Sequence, residues 1–116
     1  MDDSPVFSLF SEAPEPLTAE VFETLLERPG IRIERILSKG QTTPEGQWYD
    51  QTDDEWVVLL KGRARLIVEG WGTPIVLGPG DGVFLAAHCR HRVDWTDPDE
   101  MSLWLAIHLA PEDQRG

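Results

Sequence analysis

The sequence is poor in cysteine, in basic residues and in long apolar runs, and each shortage excludes a class of protein. Cys89 is the single cysteine among 116 residues, so no intrachain disulfide can form. Ten lysines and arginines against 21 acidic residues give a formal net charge of −11, which repels phosphate backbones and anionic membranes. No apolar run is long enough to span a bilayer, and no signal-peptide pattern opens the sequence. We therefore expect a cytoplasmic protein that binds neither nucleic acid nor membrane.

The chain has the length and composition of one globular domain. Its 116 residues are 41% hydrophobic and 27% charged, which suits one folded core rather than two. Residues 1–16 carry three prolines and no sustained period, and we expect an extended arm there, followed by a single domain over residues 17–116. Leu17, Val21 and Leu25 recur at helical spacing before Pro29-Gly30. This pattern predicts one short N-terminal helix over about residues 17–28.

Residues 31–109 have the pattern of many short strands separated by glycine turns. Residues 63–69 alternate between an apolar and a charged face, and residues 56–60 are apolar at every position. Residues 78–81, Gly-Pro-Gly-Asp, are a strong turn signal. Such a series favours an all-β sandwich or barrel.

Two separated motifs in this region resemble those of the cupin superfamily. The family's first motif ends in a glutamate followed, after six residues, by a glycine, and here these are Glu55 and Gly62. The second motif begins at a glycine within a Pro-Gly-Asp turn and ends in a histidine eleven residues later, here Gly80 and His91. The resemblance implies a small single-domain cupin, an all-β jelly-roll barrel over about residues 31–109 that carries Glu55 and His91.

The metal site that is common in this superfamily is only partly present. It consists of three histidines and a glutamate, but the usual His-x-His pair reads Trp48-Tyr49-Asp50 here. Glu55 and His91 carry over, Asp50 stands where the second histidine would be, and His88 lies three residues before His91. These four residues are the candidate ligands for a divalent manganese, iron, nickel or zinc ion. The alternative is a metal-free barrel that contains a hydrogen-bonded Glu55–His91 pair.

Strand alternation predicts which side chains accompany these two residues inside the barrel. If Glu55 points inward, so does Val57, and if His91 points inward, so does Trp95. The arginines on these strands fall on the opposite face, so none is available to compensate Glu55. An unpaired buried carboxylate is costly or takes up a proton. A metal ion, a protonated His91 or water must therefore satisfy it.

Two functions are compatible with this pattern. The first is a metal-dependent enzyme that acts on a small molecule, such as an oxygenase or an isomerase, with Asp50, Glu55 and His91 holding the ion. The second is a metal-free module that binds a sugar-like or apolar ligand, with Trp48 and Trp95 lining the pocket. The apolar strand at residues 56–60 also predicts a homodimer, because the helix or a second subunit must cover its outer face.

Overall fold

A computed structural model describes residues 4–11 and 17–112, and nearly all of the regular structure in these residues is β-strand. The eight strands are β1 (Val21–Arg28), β2 (Ile31–Ser38), β3 (Asp54–Lys61), β4 (Ala64–Val68), β5 (Ile75–Leu77), β6 (Gly82–Leu85), β7 (His91–Thr96) and β8 (Ser102–Leu109). Residues 1–3 and 12–16 of the predicted arm, and residues 113–116, lie outside the described residues. The predicted all-β fold is confirmed.

The strands form two antiparallel sheets with the core between them. One sheet has five strands in the order β1-β2-β8-β3-β6, and the other has three in the order β5-β4-β7. Val57 and Leu59 of the larger sheet pack with Ala64 and Leu77 of the smaller one, and Trp104 of β8 joins them. The result is a jelly-roll sandwich of two sheets rather than one closed ring of strands.

The predicted N-terminal helix is wrong, because residues 21–28 form the edge strand β1. This strand pairs with β2 in a hairpin whose two-residue turn is Pro29-Gly30, with Gly30 at φ +82°. A bulge at Leu25 shifts the strand register, so the apolar side chains do not keep a strict period of two. That irregular spacing imitates a helical period, whereas Pro-Gly between two apolar segments is a hairpin signal in its own right.

The outer surface of the larger sheet carries a row of apolar side chains that crosses all five strands. We call it the outer row, and its members are successive partners in the strand registers: Leu26, Ile33, Ile107, Trp56 and Phe84. Trp56 is 44% exposed and Phe84 is 59% exposed. The helix expected to cover this face is absent from residues 17–28, and Leu26, Trp56 and Phe84 of the outer row are exposed among the described residues.

Elsewhere on this surface, the N-terminal arm covers the sheet around Arg35. The guanidinium of Arg35 donates to the backbone carbonyl oxygens of Leu9 (3.1 Å) and Ser11 (2.9 Å). It also forms an ion pair with Glu23 of β1. These bonds satisfy a charged group that is only 5% exposed, and they fix the arm against the sheet.

Gly62, at the end of the first motif, permits the close approach of two chain segments. Its φ is +91°, and a Cβ atom there would lie 2.3 Å from the Oγ atom of Ser102. Only glycine accommodates both the backbone conformation and this contact.

Within the part of the chain that is described, no helix is long and apolar enough to span a membrane.

Candidate functional site

A cavity of about 70 Å³, partly open to solvent, lies between the sheets next to the core. Four strands each contribute one titratable side chain to its wall: Glu34 from β2, Glu55 from β3, His91 from β7 and His108 from β8. All four residues are buried. The ends of both sequence motifs therefore reach the same cavity.

Local strand geometry aims Glu55 and His91 into this space. Buried Glu55, Val57 and Leu59 alternate along β3 with residues of the outer surface, which is the predicted phase. His91 begins β7 opposite Val68 of β4. The distance between Glu55 Oε1 and His91 Nε2 is 3.6 Å, which is longer than a hydrogen bond.

The backbone beside His91 fixes which of its ring nitrogens carries the proton. His91 Nδ1 lies 3.0 Å from the carbonyl oxygen of Cys89. Because a carbonyl can only accept, Nδ1 donates its hydrogen there. In the neutral ring Nε2 then holds a lone pair that faces the Glu55 carboxylate. In that state the Glu55 carboxylate and His91 Nε2 are two hydrogen-bond acceptors that face each other.

Burial disfavours the charged form of the Glu55 side chain. Desolvation raises its pKa above the ordinary value, and the charge of Glu34 adds to this rise. His108, His91 and Arg32 oppose it without cancelling it. Among the described residues Glu55 Oε1 has no hydrogen-bond partner. The site can thus take up a proton on Glu55, or it can accept a hydrogen bond from a ligand.

Glu34 and His108 form a second buried pair, which neither sequence motif includes. Their Oε1 and Nε2 atoms lie 2.8 Å apart, so the imidazole donates to the carboxylate. Arg32 Nε lies 3.8 Å from the other oxygen of Glu34. Strand alternation contained the signal, since His108 lies in phase with the buried core residues Trp104 and Ala106.

Tyr49 and Glu20 also line the cavity, and neither was predicted. Tyr49 exchanges two backbone hydrogen bonds with His91, of 2.7 and 3.1 Å, and its ring stacks on the imidazole with centroids 5.4 Å apart. Burial raises the pKa of the Tyr49 phenol and of the Glu20 carboxyl. Tyr49 is the middle residue of the altered His-x-His segment. Its side chain lines the cavity, whereas those of the flanking Trp48 and Asp50 do not.

Asp50 and His88 lie outside the cavity and bond to each other. His88 Nδ1 is 2.8 Å from Asp50 Oδ1, and these side chains are 66% and 49% exposed. Neither lines the space around Glu55 and His91. His88 has a positive φ of 64°, in the turn before β7.

The donor set does not fit the divalent metal that the family resemblance implies. Glu55 and His91 converge, but a protein metal site needs at least one further ligand, and Asp50 and His88 are paired elsewhere. No group of three His, Cys, Asp or Glu side chains within residues 4–11 and 17–112 is arranged to hold an ion. Tyr49, which occupies the altered segment, offers only a protonated phenol.

The two tryptophans expected to line the pocket do not reach it. A register shift between Arg65 and Leu66 leaves Asp94 unpaired as a bulge in β7, which turns Trp95 outward, 37% exposed, while Thr96 is buried. Trp48 instead stacks under the guanidinium of Arg90, 5.3 Å from its ring centroid. Trp104 and Phe22 are the aromatic residues that line the cavity together with Tyr49.

Comparison with known proteins places this architecture in one family. The family profile described as "Cupin domain" matches residues 35–108. A solved structure from Ralstonia eutropha JMP134, provisionally described as a mannose-6-phosphate isomerase, is 47% identical, with 91% of this chain and 98% of that chain covered and a TM-score of 0.88. No protein of curated function matches this chain.

More distant structures share the fold alone. A cupin superfamily protein from Desulfitobacterium hafniense DCB-2 is 19% identical, with 94% of this chain and 93% of that chain covered and a TM-score of 0.71. The cupin domain of Cnp3 from Schizosaccharomyces pombe is 14% identical, with 96% and 74% covered and a TM-score of 0.75. These sequences differ too much for a shared site to follow from the shared fold.

Proposed function

We propose that this chain, which belongs to the cupin domain family, binds a small polar molecule in the cavity without the help of a metal ion. One observation carries the proposal: Glu55 Oε1 is buried at the cavity wall and has no hydrogen-bond partner among the described residues. Leaving such an acceptor unsatisfied costs about 1–3 kcal/mol, and more when it is charged. A ligand N–H or O–H group that reaches this atom therefore binds favourably.

The size and walls of the cavity limit the ligand. A cavity of about 70 Å³ holds about five to seven water molecules, and hence a molecule or group with a similar number of non-hydrogen atoms. Apolar side chains form much of the remaining wall: Ile36, Val57, Leu66, Leu85 and Val93. The ligand should therefore present a hydrogen-bond donor at one end and an apolar or sugar-like face along its side.

The description of the Ralstonia eutropha structure suggests a sugar phosphate as one candidate ligand. The charge of the cavity disfavours it here. Glu20, Glu34 and Glu55 line the cavity, and no lysine or arginine among the described residues does so. A phosphate group would meet carboxylates without a cation to bind it. We therefore propose a ligand without a phosphate group.

The metal-dependent reading of the site has less support. It needs a third ligand beside Glu55 and His91, and the candidates Asp50 and His88 bond to each other outside the cavity. The neighbouring Glu34–His108 pair satisfies itself through a hydrogen bond of 2.8 Å. A metal-free site in which the ligand itself supplies the missing donor accounts for the orphaned oxygen more simply.

The test is fragment binding to protein treated with a chelator. Protein-detected NMR of the histidine rings should show that small fragments carrying N–H or O–H donors shift the His91 signals while the chelator is present. Glu55→Leu, which removes both acceptor oxygens, should abolish these shifts. Glu69→Gln, which alters an exposed carboxylate paired with Arg90, is the matched control and should not change them.

The opposite result would be binding that appears only after manganese, iron, nickel or zinc is restored. Fragment binding that persists unchanged in Glu55→Leu would likewise contradict the role of this oxygen.

A further inference from the structure

With Glu55 ionised and His91 neutral, the hydrogen-bonding groups that these two residues present to the cavity are both acceptors. Glu55 Oε1 has no partner among the described residues, and in the neutral imidazole His91 Nε2 holds a lone pair because Nδ1 donates to the carbonyl oxygen of Cys89. The two atoms are 3.6 Å apart, close enough for one nitrogen to donate to both. A hydroxyl group carries a single O–H and can satisfy one of them, whereas an ammonium group carries several N–H donors.

The charges around this point favour a cation. Three carboxylates line the cavity, from Glu20, Glu34 and Glu55. Glu34 has local compensation from His108 and from Arg32 at its outer side. Glu55 has no charged partner within hydrogen-bond distance, and no lysine or arginine among the described residues lines the cavity. A positively charged ligand would add to the partial compensation that His108, His91 and Arg32 give Glu55.

The apolar part of the wall is also suited to an ammonium group. Phe22, Tyr49 and Trp104 present aromatic rings to the cavity. The negative face of an aromatic ring attracts an ammonium group, and this attraction strengthens when water is excluded. Carboxylates and aromatic rings together therefore form a lining that suits organic cations better than neutral polyols.

We propose that the ligand carries a primary ammonium group that donates hydrogen bonds to Glu55 Oε1 and His91 Nε2, with its carbon skeleton against the apolar wall. This inference rests on the proposed function, since it names the chemical class of the molecule bound at the same atoms. It replaces the sugar-like ligand of the sequence analysis with an amine.

The experiment compares three probes that share an isobutyl group and differ in charge: isobutylammonium, isobutanol and isovalerate. Each is titrated at neutral pH into chelator-treated protein, and binding is measured by NMR of the histidine rings. Isobutylammonium should bind at least about 10-fold more tightly than isobutanol, because a charge-assisted hydrogen bond is roughly twice as strong as a neutral one. Isovalerate should not bind.

The variant Glu55→Gln separates charge from hydrogen bonding, because glutamine keeps an acceptor oxygen but carries no charge. It should weaken isobutylammonium by about 10-fold or more and weaken isobutanol by less than about 3-fold. Glu69→Gln should leave both affinities unchanged. A loss of isobutylammonium binding with the isobutanol affinity preserved also shows that the variant is folded.

Three other outcomes would refute the ammonium ligand, the charge argument, or both the ammonium ligand and the proposed function. Isobutanol that binds as tightly as isobutylammonium, and loses binding in Glu55→Leu, would refute the ammonium ligand while leaving the proposed function intact. Isovalerate as the tightest probe would refute the charge argument. If none of the three binds until a divalent metal is added, both the inference and the proposed function are wrong.

Discussion

Replacing Glu55 with glutamine should stabilise the unliganded protein at neutral pH. The carboxylate is buried, and its Oε1 atom has no hydrogen-bond partner among the described residues. Glutamine keeps the shape, removes the charge and can donate an N–H to the lone pair of His91 Nε2. Replacing a poorly compensated buried charge is often neutral or stabilising by about 1–4 kcal/mol. Because His108 and Arg32 partly compensate Glu55, we expect a gain of about 1–2 kcal/mol.

The gain should depend on pH, in a direction set by the raised pKa of Glu55. In the unfolded chain Glu55 loses its proton near the ordinary pKa of 4.5, whereas in the folded chain it does so only at higher pH. Between these values the folded state binds more protons, so the free energy of unfolding falls as pH rises through this window. Glutamine does not titrate. The advantage of Glu55→Gln should therefore be absent below the ordinary pKa and full above the raised one.

Thermal melts of both proteins in a chelator, below and above this window, measure the effect. For a domain of this size, about 1 kcal/mol corresponds to about 4 °C in Tm. The control Glu69→Gln should stay within about 0.5 kcal/mol of wild type, because its carboxylate is half-exposed. A Glu55→Gln variant that is clearly less stable at neutral pH would refute the reasoning. So would a metal that raises the Tm of wild type but not that of the variant.

Three further predictions concern other parts of the structure. Asp50→Asn should change the free energy of unfolding by less than about 0.5 kcal/mol in urea titrations, since its hydrogen bond to His88 is exposed to solvent, and a large loss would implicate it in the site. Gly62→Ala should cost about 2 kcal/mol or more in the same assay, because its φ is positive and its Cβ would overlap Ser102; an unchanged midpoint would contradict that contact. Sedimentation equilibrium should find a homodimer that Phe84→Lys, in the outer row, converts to monomer and that Val76→Lys, exposed on the other sheet, does not; a wild-type monomer would leave the outer row without its expected cover.

The parts of the fold that were predictable from sequence are those that keep a strict local period. The alternation of β3 correctly gave the inward positions of Glu55 and Val57. A bulge depends on how a strand pairs with its neighbour in the sheet, and the residue period of the strand alone does not reveal it. The bulges at Leu25 and Asp94 therefore produced two errors, a helix in place of β1 and an inward Trp95 in place of an outward one.

Only those residues of the candidate site that belong to the two sequence motifs were predictable from the sequence. Glu55 and His91 end the two motifs and both line the cavity. Glu34 and His108 belong to no motif, and they come together across 74 positions of sequence only because β2 and β8 are neighbours in the sheet. Asp50 was chosen by its alignment with a missing ligand, but the neighbouring Tyr49 is the residue whose side chain enters the cavity.

The arm that fastens onto Arg35 has a practical consequence for where this domain can be cut. The segment matched to the family begins at residue 35, yet the guanidinium of Arg35 depends on carbonyl oxygens at Leu9 and Ser11 and on Glu23. An expression fragment trimmed to the matched segment would lack the edge strand β1. It would also lack all three of these partners of the Arg35 guanidinium. We therefore expect the folding unit to extend N-terminally beyond the matched segment, and truncation libraries should show an abrupt loss of soluble protein once the arm is removed.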